Sequence, residues 1–146
     1  MDKILVLHGP NLNLLGKRDP EQYGHLSLEE INQRLIAYGE KRGVRVETAQ
    51  SNLEGELIDQ LQQAEGEVGG VVFNPGGYAH TSVAIRDAVE TIEIPVIEVH
   101  LSNILGREDF RRNSIIGPVC QGMVAGFGTL SYQLGIDALL HMEEEG

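Results

Sequence analysis

Short apolar runs alternate with helical patterns along the whole chain, and no other feature limits the fold as much. KILVLH (3–8), VRVETA (44–49), GVVFN (70–74) and IPVIEVH (94–100) are β-rich runs of strand length, and GPVCQGMVAGF (117–127) is a fifth, less regular one. Between them the period changes to that of a helix. Ser27 and Glu30 form an S-x-x-E capping box, Leu28, Ile31, Leu35 and Tyr38 share one helical face, and Gly43 ends the segment. Ser51 and Glu54 repeat the device before Leu57, Ile58 and Leu61, and 81–90 and 130–142 supply two further helices. Strands that are apolar along their whole length are covered on both faces, as in a parallel sheet whose crossovers are helices.

Five such strands in 146 residues suit an α/β three-layer sandwich of the flavodoxin-like type. The expected sheet has the order 2-1-3-4-5 with helices on both faces, and residues 1–146 form a single domain. A hydrophobic content of 41% is enough for a full core. Charge narrows the partners. Eleven Lys+Arg against 22 Asp+Glu give a net charge of −11, the wrong sign for nucleic acid or an anionic membrane surface. An anionic small molecule would need a local cluster of arginine to overcome that background. Cys120 is the only cysteine, so the chain cannot close a disulfide within itself, and a reducing, cytoplasmic compartment is expected. The first apolar run is far shorter than a signal-peptide core, and no window nears the roughly 20 apolar residues of a membrane span.

In sheets of this topology ligands bind at the carboxyl ends of the strands, where the strand order reverses. The residues just after each strand are therefore the place to look. After the first strand comes GPNLNLLGKRDPEQYG (9–24), after the third NPGGYAHTS (74–82), and after the fourth EVHLSN (98–103). QSN after the second is accounted for by the capping box. A loop that only joins two elements needs some Gly and Pro, but not Asn11, Asn13, Arg18 and Tyr23 as well.

Each group has a plain structural explanation to beat. Asn11 and Asn13 are ordinary turn formers. NPGG is turn chemistry, with glycines at positive φ. His80 sits where a neutral imidazole can cap a helix. Arg107, Arg111 and Arg112 in GREDFRRNS fit a solvated face, although Arg107 and Arg111, four apart, point the same way. Glu98 and His100 are harder to dismiss. They lie two apart on an apolar strand, share a face, and are costly there unless they pair or face a cleft. His8, His25 and His141 have no partners at telling spacing. Cys120 reads as core filling. Metal-binding, P-loop and nucleophile-elbow motifs are absent. Arg and Tyr on a loop, a Glu–His pair, Asn, Ser and more Arg suit proton transfer on a polyhydroxylated anion without a cofactor.

Taken together, GPNLNLLGKRDPEQYG, QSNLEGELID, FNPGGYAHTSVAIRDA, EVHLSN, REDFR and GFG resemble, in order and from end to end, the type II 3-dehydroquinate dehydratases. The resemblance implies a flavodoxin-like fold and no cofactor or metal. The implied reaction is the dehydration of 3-dehydroquinate to 3-dehydroshikimate, in the shikimate pathway toward chorismate and the aromatic amino acids or in quinate catabolism. It also implies a homododecamer built as a tetramer of trimers.

Position by position, the resemblance makes Tyr23 the general base at C2 of the substrate and Arg18 the residue that activates it. A tyrosine of pKa about 10 must fall roughly three units to act near neutrality, which costs about 4 kcal/mol. One guanidinium about 4 Å away supplies that much at an effective dielectric near 20. Arg107 matches a second cation near this tyrosine, and Asn11 a residue that holds a water against the enolate oxygen. His100 matches the general acid for the C1 hydroxyl, with Glu98 orienting its ring. Leu101 and Ser102 match the carboxylate-binding positions, and Asn74, His80 and Arg111 other substrate-binding ones. Asp87 matches a carboxylate that reaches the site from a neighbouring subunit. Gly16 and Gly24 bracket the segment with Arg18 and Tyr23, which on this reading is a catalytic lid.

One departure stands out. Where the resemblance implies a histidine between HLSN and RE, this chain has Leu105, flanked by Ile104 and Gly106. Dehydratases that work through a lysine Schiff base on a barrel are excluded by length, and the lysines here are Lys3, Lys17 and Lys41. A non-catalytic module that binds an anionic metabolite at the same sheet edge is the alternative. It would need neither the Arg18–Tyr23 nor the Glu98–His100 pairing.

Overall fold

The computed structural model describes residues 1–17, 21 and 25–146. Strands β1 (Lys3–His8), β2 (Arg45–Gln50), β3 (Gly70–Asn74), β4 (Val96–His100) and β5 (Gly122–Ala125) form one parallel sheet in the order β2-β1-β3-β4-β5. Four helices among the described residues, α1 (Leu28–Lys41), α2 (Glu54–Ala64), α3 (Val83–Thr91) and α4 (Leu130–Glu145), cover it. α1 and α4 lie on one face, α2 and α3 on the other. This is the expected flavodoxin-like order.

The pleat explains why the strands are apolar throughout. Ile4 and Val6 of β1 enter the core beneath α1 and α4, while Leu5 and Leu7 enter the core beneath α2 and α3. β3 divides Val72 from Val71 and Phe73 in the same way, and β4 divides Ile97 and Val99 from Val96. β5 is the exception. It is an edge strand with Met123 partly exposed, so its sequence lacks the clean signal of the others. It is also shorter than the 117–127 run, because Gly117–Val119 forms a 3-10 turn around Pro118.

Of the two capping boxes expected from the sequence one forms, and a further cap comes from Ser82. The Ser27 hydroxyl accepts from the Glu30 amide at 3.2 Å and starts α1, and Ser82 accepts from the Ile85 amide at 3.0 Å and starts α3. The expected Ser51–Glu54 capping box does not form. The Ser51 amide still donates to the His8 carbonyl at 3.1 Å, continuing the sheet, and its hydroxyl accepts from the Leu53 amide and donates to Glu56. Glu54 is free to accept from the Ser82 hydroxyl, which ties the starts of α2 and α3 together.

The loops after β1 and β3 are pressed against each other. The Gly9 amide donates to the Asn74 carbonyl at 2.7 Å, and a Cβ on Gly9 would lie 2.7 Å from the Pro75 carbonyl. Only glycine fits there. Gly9→Ala must push the two loops apart at a cost of about 1–3 kcal/mol. We expect its thermal midpoint to fall by at least about 3 °C, read by calorimetry. An unchanged midpoint would mean that the loops can separate freely.

His8 ends β1 wholly buried beneath α1 and α4. Its Nε2 faces Asn32 Oδ1 at 2.8 Å and its Nδ1 faces the Tyr132 hydroxyl at 2.8 Å. Burial lowers its pKa from 6.5 to about 4, against a smaller raising effect of the bond to Asn32. Between those two values the unfolded chain binds a proton that the folded chain refuses. Folding free energy from this residue is therefore lost as pH falls from 6.5 to 4, by about 3 kcal/mol in total. Urea unfolding at pH 7 and pH 4.5 measures it, and His8→Gln should lose less stability between the two than the native chain.

Candidate active site

The switch in strand order falls between β1 and β3, and a cleft of about 150 Å³ opens at the carboxyl ends there. Register brings the three loops together, with His8 beside Asn74 and Phe73 beside Glu98. Asn11 from the β1 loop, Asn74 and His80 from the β3 end, and His100, Leu101 and Ser102 from the β4 end line it with Arg107 and Arg111. Eight of the twelve residues singled out from the sequence therefore share one cleft.

Glu98 stands just behind the wall of the cleft. Its side chain is fully buried, and one carboxyl oxygen meets His100 Nε2 at 2.5 Å. A carboxyl oxygen accepts, so Nε2 carries a proton and Nδ1 is the nitrogen not committed to Glu98. The other oxygen accepts from the Ser114 hydroxyl at 2.8 Å, and Ser114 in turn accepts from the Gly117 amide at 2.9 Å. The ring of His100 is thus oriented by a chain of bonds that ends in backbone. The glycines of GFG serve the same loop: the Gly126 amide donates to the His100 carbonyl and the Gly128 amide to that of Leu101. Gly126 has φ 99 and a Cβ there would crowd Asn103.

His80 stacks near His100, with ring centroids 6.3 Å apart and planes 21° from parallel. Its Nδ1 donates to the Asn113 carbonyl at 2.9 Å. Asn113 and Ser114 together therefore orient both histidines. On the cationic side, Arg107 Nη1 donates to the Ser102 hydroxyl at 3.3 Å, and Arg111 Nε donates to Glu108 at 3.2 Å. Two guanidinium groups beside the cleft supply the local positive charge that a chain of net charge −11 needs for an anion.

Asn11 is the one non-glycine residue of positive φ (69°) among the described residues. That left-handed conformation is strained for most side chains but tolerated by asparagine. The end of β2 holds it there. The Asn11 amide donates to Asn52 Oδ1 at 2.9 Å, and Gln50 Nε2 donates to the Gly9 carbonyl at 3.1 Å and to Asn52 Oδ1 at 3.2 Å. QSN, expected only to cap a helix, is thus a clamp on the β1 loop.

Asp87 does not join the cleft. It lies on α3 beside a shallow groove lined by Ile58, Gln62, Ala84, Ala88 and Thr91. Arg18 and Tyr23, and the lid expected around them, fall outside the described residues. Leu105 is 67% exposed on a 3-10 turn and does not line the cleft, so the departure there leaves the wall intact. Cys120 is half-buried against the core beneath α2 and α3, and burial, helped by Glu98, pushes its thiol up to about 12. Among the described residues no three His, Cys, Asp or Glu side chains are grouped to hold a metal ion.

A doubly wound sheet with a histidine–carboxyl pair and two arginines at its switch point defines an α/β protein of the kind that handles small polar anions at its strand ends. More narrowly, the chain belongs to the class II dehydroquinase family, whose family model matches residues 2–140. It is 54% identical over 147 residues to the 3-dehydroquinate dehydratase of Ruegeria pomeroyi, covering 100% of this chain and 99% of the relative. It is 57% identical over 136 residues to that of Pelotomaculum thermopropionicum, covering 93% and 94%. The type II dehydroquinase of Butyrivibrio crossotus superposes with a TM-score of 0.93 at 44% identity, covering 95% of this chain and 97% of the other.

Proposed function

We propose that residues 1–146 act as one catalytic domain that dehydrates 3-dehydroquinate to 3-dehydroshikimate without a cofactor, the hydro-lyase step of the shikimate pathway or of quinate catabolism. The observation that carries this reading is the 2.5 Å bond between His100 and fully buried Glu98, in the wall of a cleft that also holds Asn74, His80, Arg107 and Arg111. Tyr23, its phenol made acidic by Arg18 with Arg107 nearby, takes the C2 proton. The C2–H electron pair moves into an enolate, whose oxygen is met by a water held at Asn11. His100 then gives its Nδ1 proton to the C1 hydroxyl. The C1–O bond breaks, water leaves and the C1–C2 double bond forms. Glu98 accepts from Nε2 and so orients the ring for this step. Leu101, Ser102 and Arg111 bind the substrate carboxylate region, with Asn74 and His80 on the ring hydroxyls.

Adding 3-dehydroquinate and following ultraviolet absorbance of the conjugated enone tests the reaction directly. A protein that binds the compound without any absorbance change would be a binding module, and the catalytic reading would fall.

The protein works in the cytoplasm as a homododecamer, a tetramer of trimers. A cytoplasmic site is supported by the lone cysteine, and no helix among the described residues is long and apolar enough to cross a membrane. The assembly is supported by Asp87, which lies away from its own cleft on α3, the helix that also exposes the apolar Val83 to 61%. If Asp87 completes a neighbour's site, Asp87→Ala should raise KM about tenfold through loss of a charged hydrogen bond. Unchanged KM and kcat, or an active monomer by light scattering, would sink the trimer reading.

A further inference from the structure

Asn74 ends β3 with its amide between the cleft and the core. Its Oδ1 accepts from the Gly76 backbone amide at 3.1 Å, and its Nδ2 donates to the Tyr132 hydroxyl at 3.1 Å. Beyond Tyr132 lie His8 Nδ1 at 2.8 Å and, from His8 Nε2, Asn32 Oδ1 at 2.8 Å. His8, Asn74 and Tyr132 are all buried, so every one of these groups needs its partner.

The sense of the whole chain follows from one group that cannot be reversed. The Gly76 amide can only donate, so Asn74 must turn its oxygen toward it and its nitrogen toward Tyr132. The Tyr132 oxygen then accepts from Asn74, and its own hydrogen must go to His8 Nδ1. His8 Nδ1 is therefore bare, Nε2 carries the proton, and Asn32 accepts it. Flipping the Asn74 amide would set its nitrogen against the Gly76 N–H, two donors, and the other His8 tautomer would set a bare Nε2 against Asn32 Oδ1, two acceptors. That tautomer or an imidazolium at His8 would also leave the buried Tyr132 hydrogen without its acceptor. The low pKa of His8 agrees with that constraint.

We propose that Tyr132 and His8 are positioning residues that fix the polarity of the Asn74 amide, so that it presents an N–H donor to an oxygen of the bound substrate. The proposal rests on the reading of Asn74 as a substrate contact. Of the two Nδ2 hydrogens one is spent on Tyr132, and the second is the one left for the cleft that Asn74 lines. Without the Tyr132 hydroxyl the amide loses the bond that holds its nitrogen end, and its contact with substrate weakens.

Steady-state kinetics on 3-dehydroquinate for Asn74→Ala, Tyr132→Phe and the double variant tests this. Each single change should raise KM about tenfold, the value of one hydrogen bond in a dry site. The double variant should be no worse than Asn74→Ala alone, because Tyr132 acts through Asn74. Multiplying effects would mean that Tyr132 supports the fold generally, and would overturn the proposal. So would a normal KM in Tyr132→Phe beside a raised one in Asn74→Ala. A normal KM in Asn74→Ala would instead remove the substrate contact itself, a separate failure. If Tyr132→Phe does not fold, solid-state NMR of the native enzyme with ¹⁵N-labelled histidine still decides. His8 should be the neutral Nε2–H tautomer, and finding Nδ1–H or imidazolium at neutral pH would overturn the polarity.

Discussion

Replacing His100 by alanine should separate the two halves of the reaction. Elimination is expected to fall by about 10²- to 10⁴-fold, the usual contribution of a placed general acid. Removal of the C2 proton should fall far less, because the proposed mechanism gives that step to Tyr23 and not to His100. An enolate that forms but cannot expel hydroxide regains a proton from solvent. In heavy water the variant should therefore exchange deuterium into C2 of unreacted 3-dehydroquinate faster than it makes product, which NMR or mass spectrometry reads directly. The geometry behind this is the commitment of Nε2 to Glu98 at 2.5 Å, which leaves Nδ1 as the nitrogen that the proposed mechanism uses. Loss of exchange and elimination in equal measure would show that His100 also serves the first step.

The layout of the sheet was legible because burial on both faces leaves a signature that needs no partner to read. β1 and β3 are bounded as their apolar runs are, and β4 starts two residues late. β5 was blurred for a physical reason: an edge strand with a half-exposed methionine and glycine at its start has little to distinguish it from a loop. The strand ends were legible for a related reason. A Glu and a His on one face of an apolar strand have to be paired with something, and the structure pairs them with each other.

What stayed hidden was support from distant residues. Ser114 reaches Glu98 across 16 positions, and Tyr132 reaches His8 across 124. Neither spacing carries a periodicity. His8 had no visible partner in sequence because both of its partners lie on helices of one face, brought to it only by the fold. Asn52 was masked by a competing local explanation. Ser51 looked like a cap, so the neighbouring amide that holds Asn11 in its left-handed conformation was accounted for along with it. Local rules fail where a residue's job is to hold another residue that is remote in sequence.

Tyr23→Phe should give the opposite signature to His100→Ala. In the proposed mechanism the phenol oxygen takes up the C2 proton only on the way to the enolate, so its interaction with substrate would be made in the transition state and hardly at all before it. Removing it should lower kcat by about 10²- to 10⁴-fold while KM stays within about threefold. Because no enolate forms, deuterium exchange at C2 should disappear along with elimination. The ring itself is kept, so packing of the loop is not the variable. The contrast protects the assignment of both residues: a base variant that loses both activities and an acid variant that keeps exchange cannot be explained by a common loss of folding or binding. If Tyr23→Phe kept more than about a tenth of the native kcat, a different group would have to be the base. The Arg18–Tyr23 pairing would then be a binding feature of the loop, with catalysis carried from the β4 side alone.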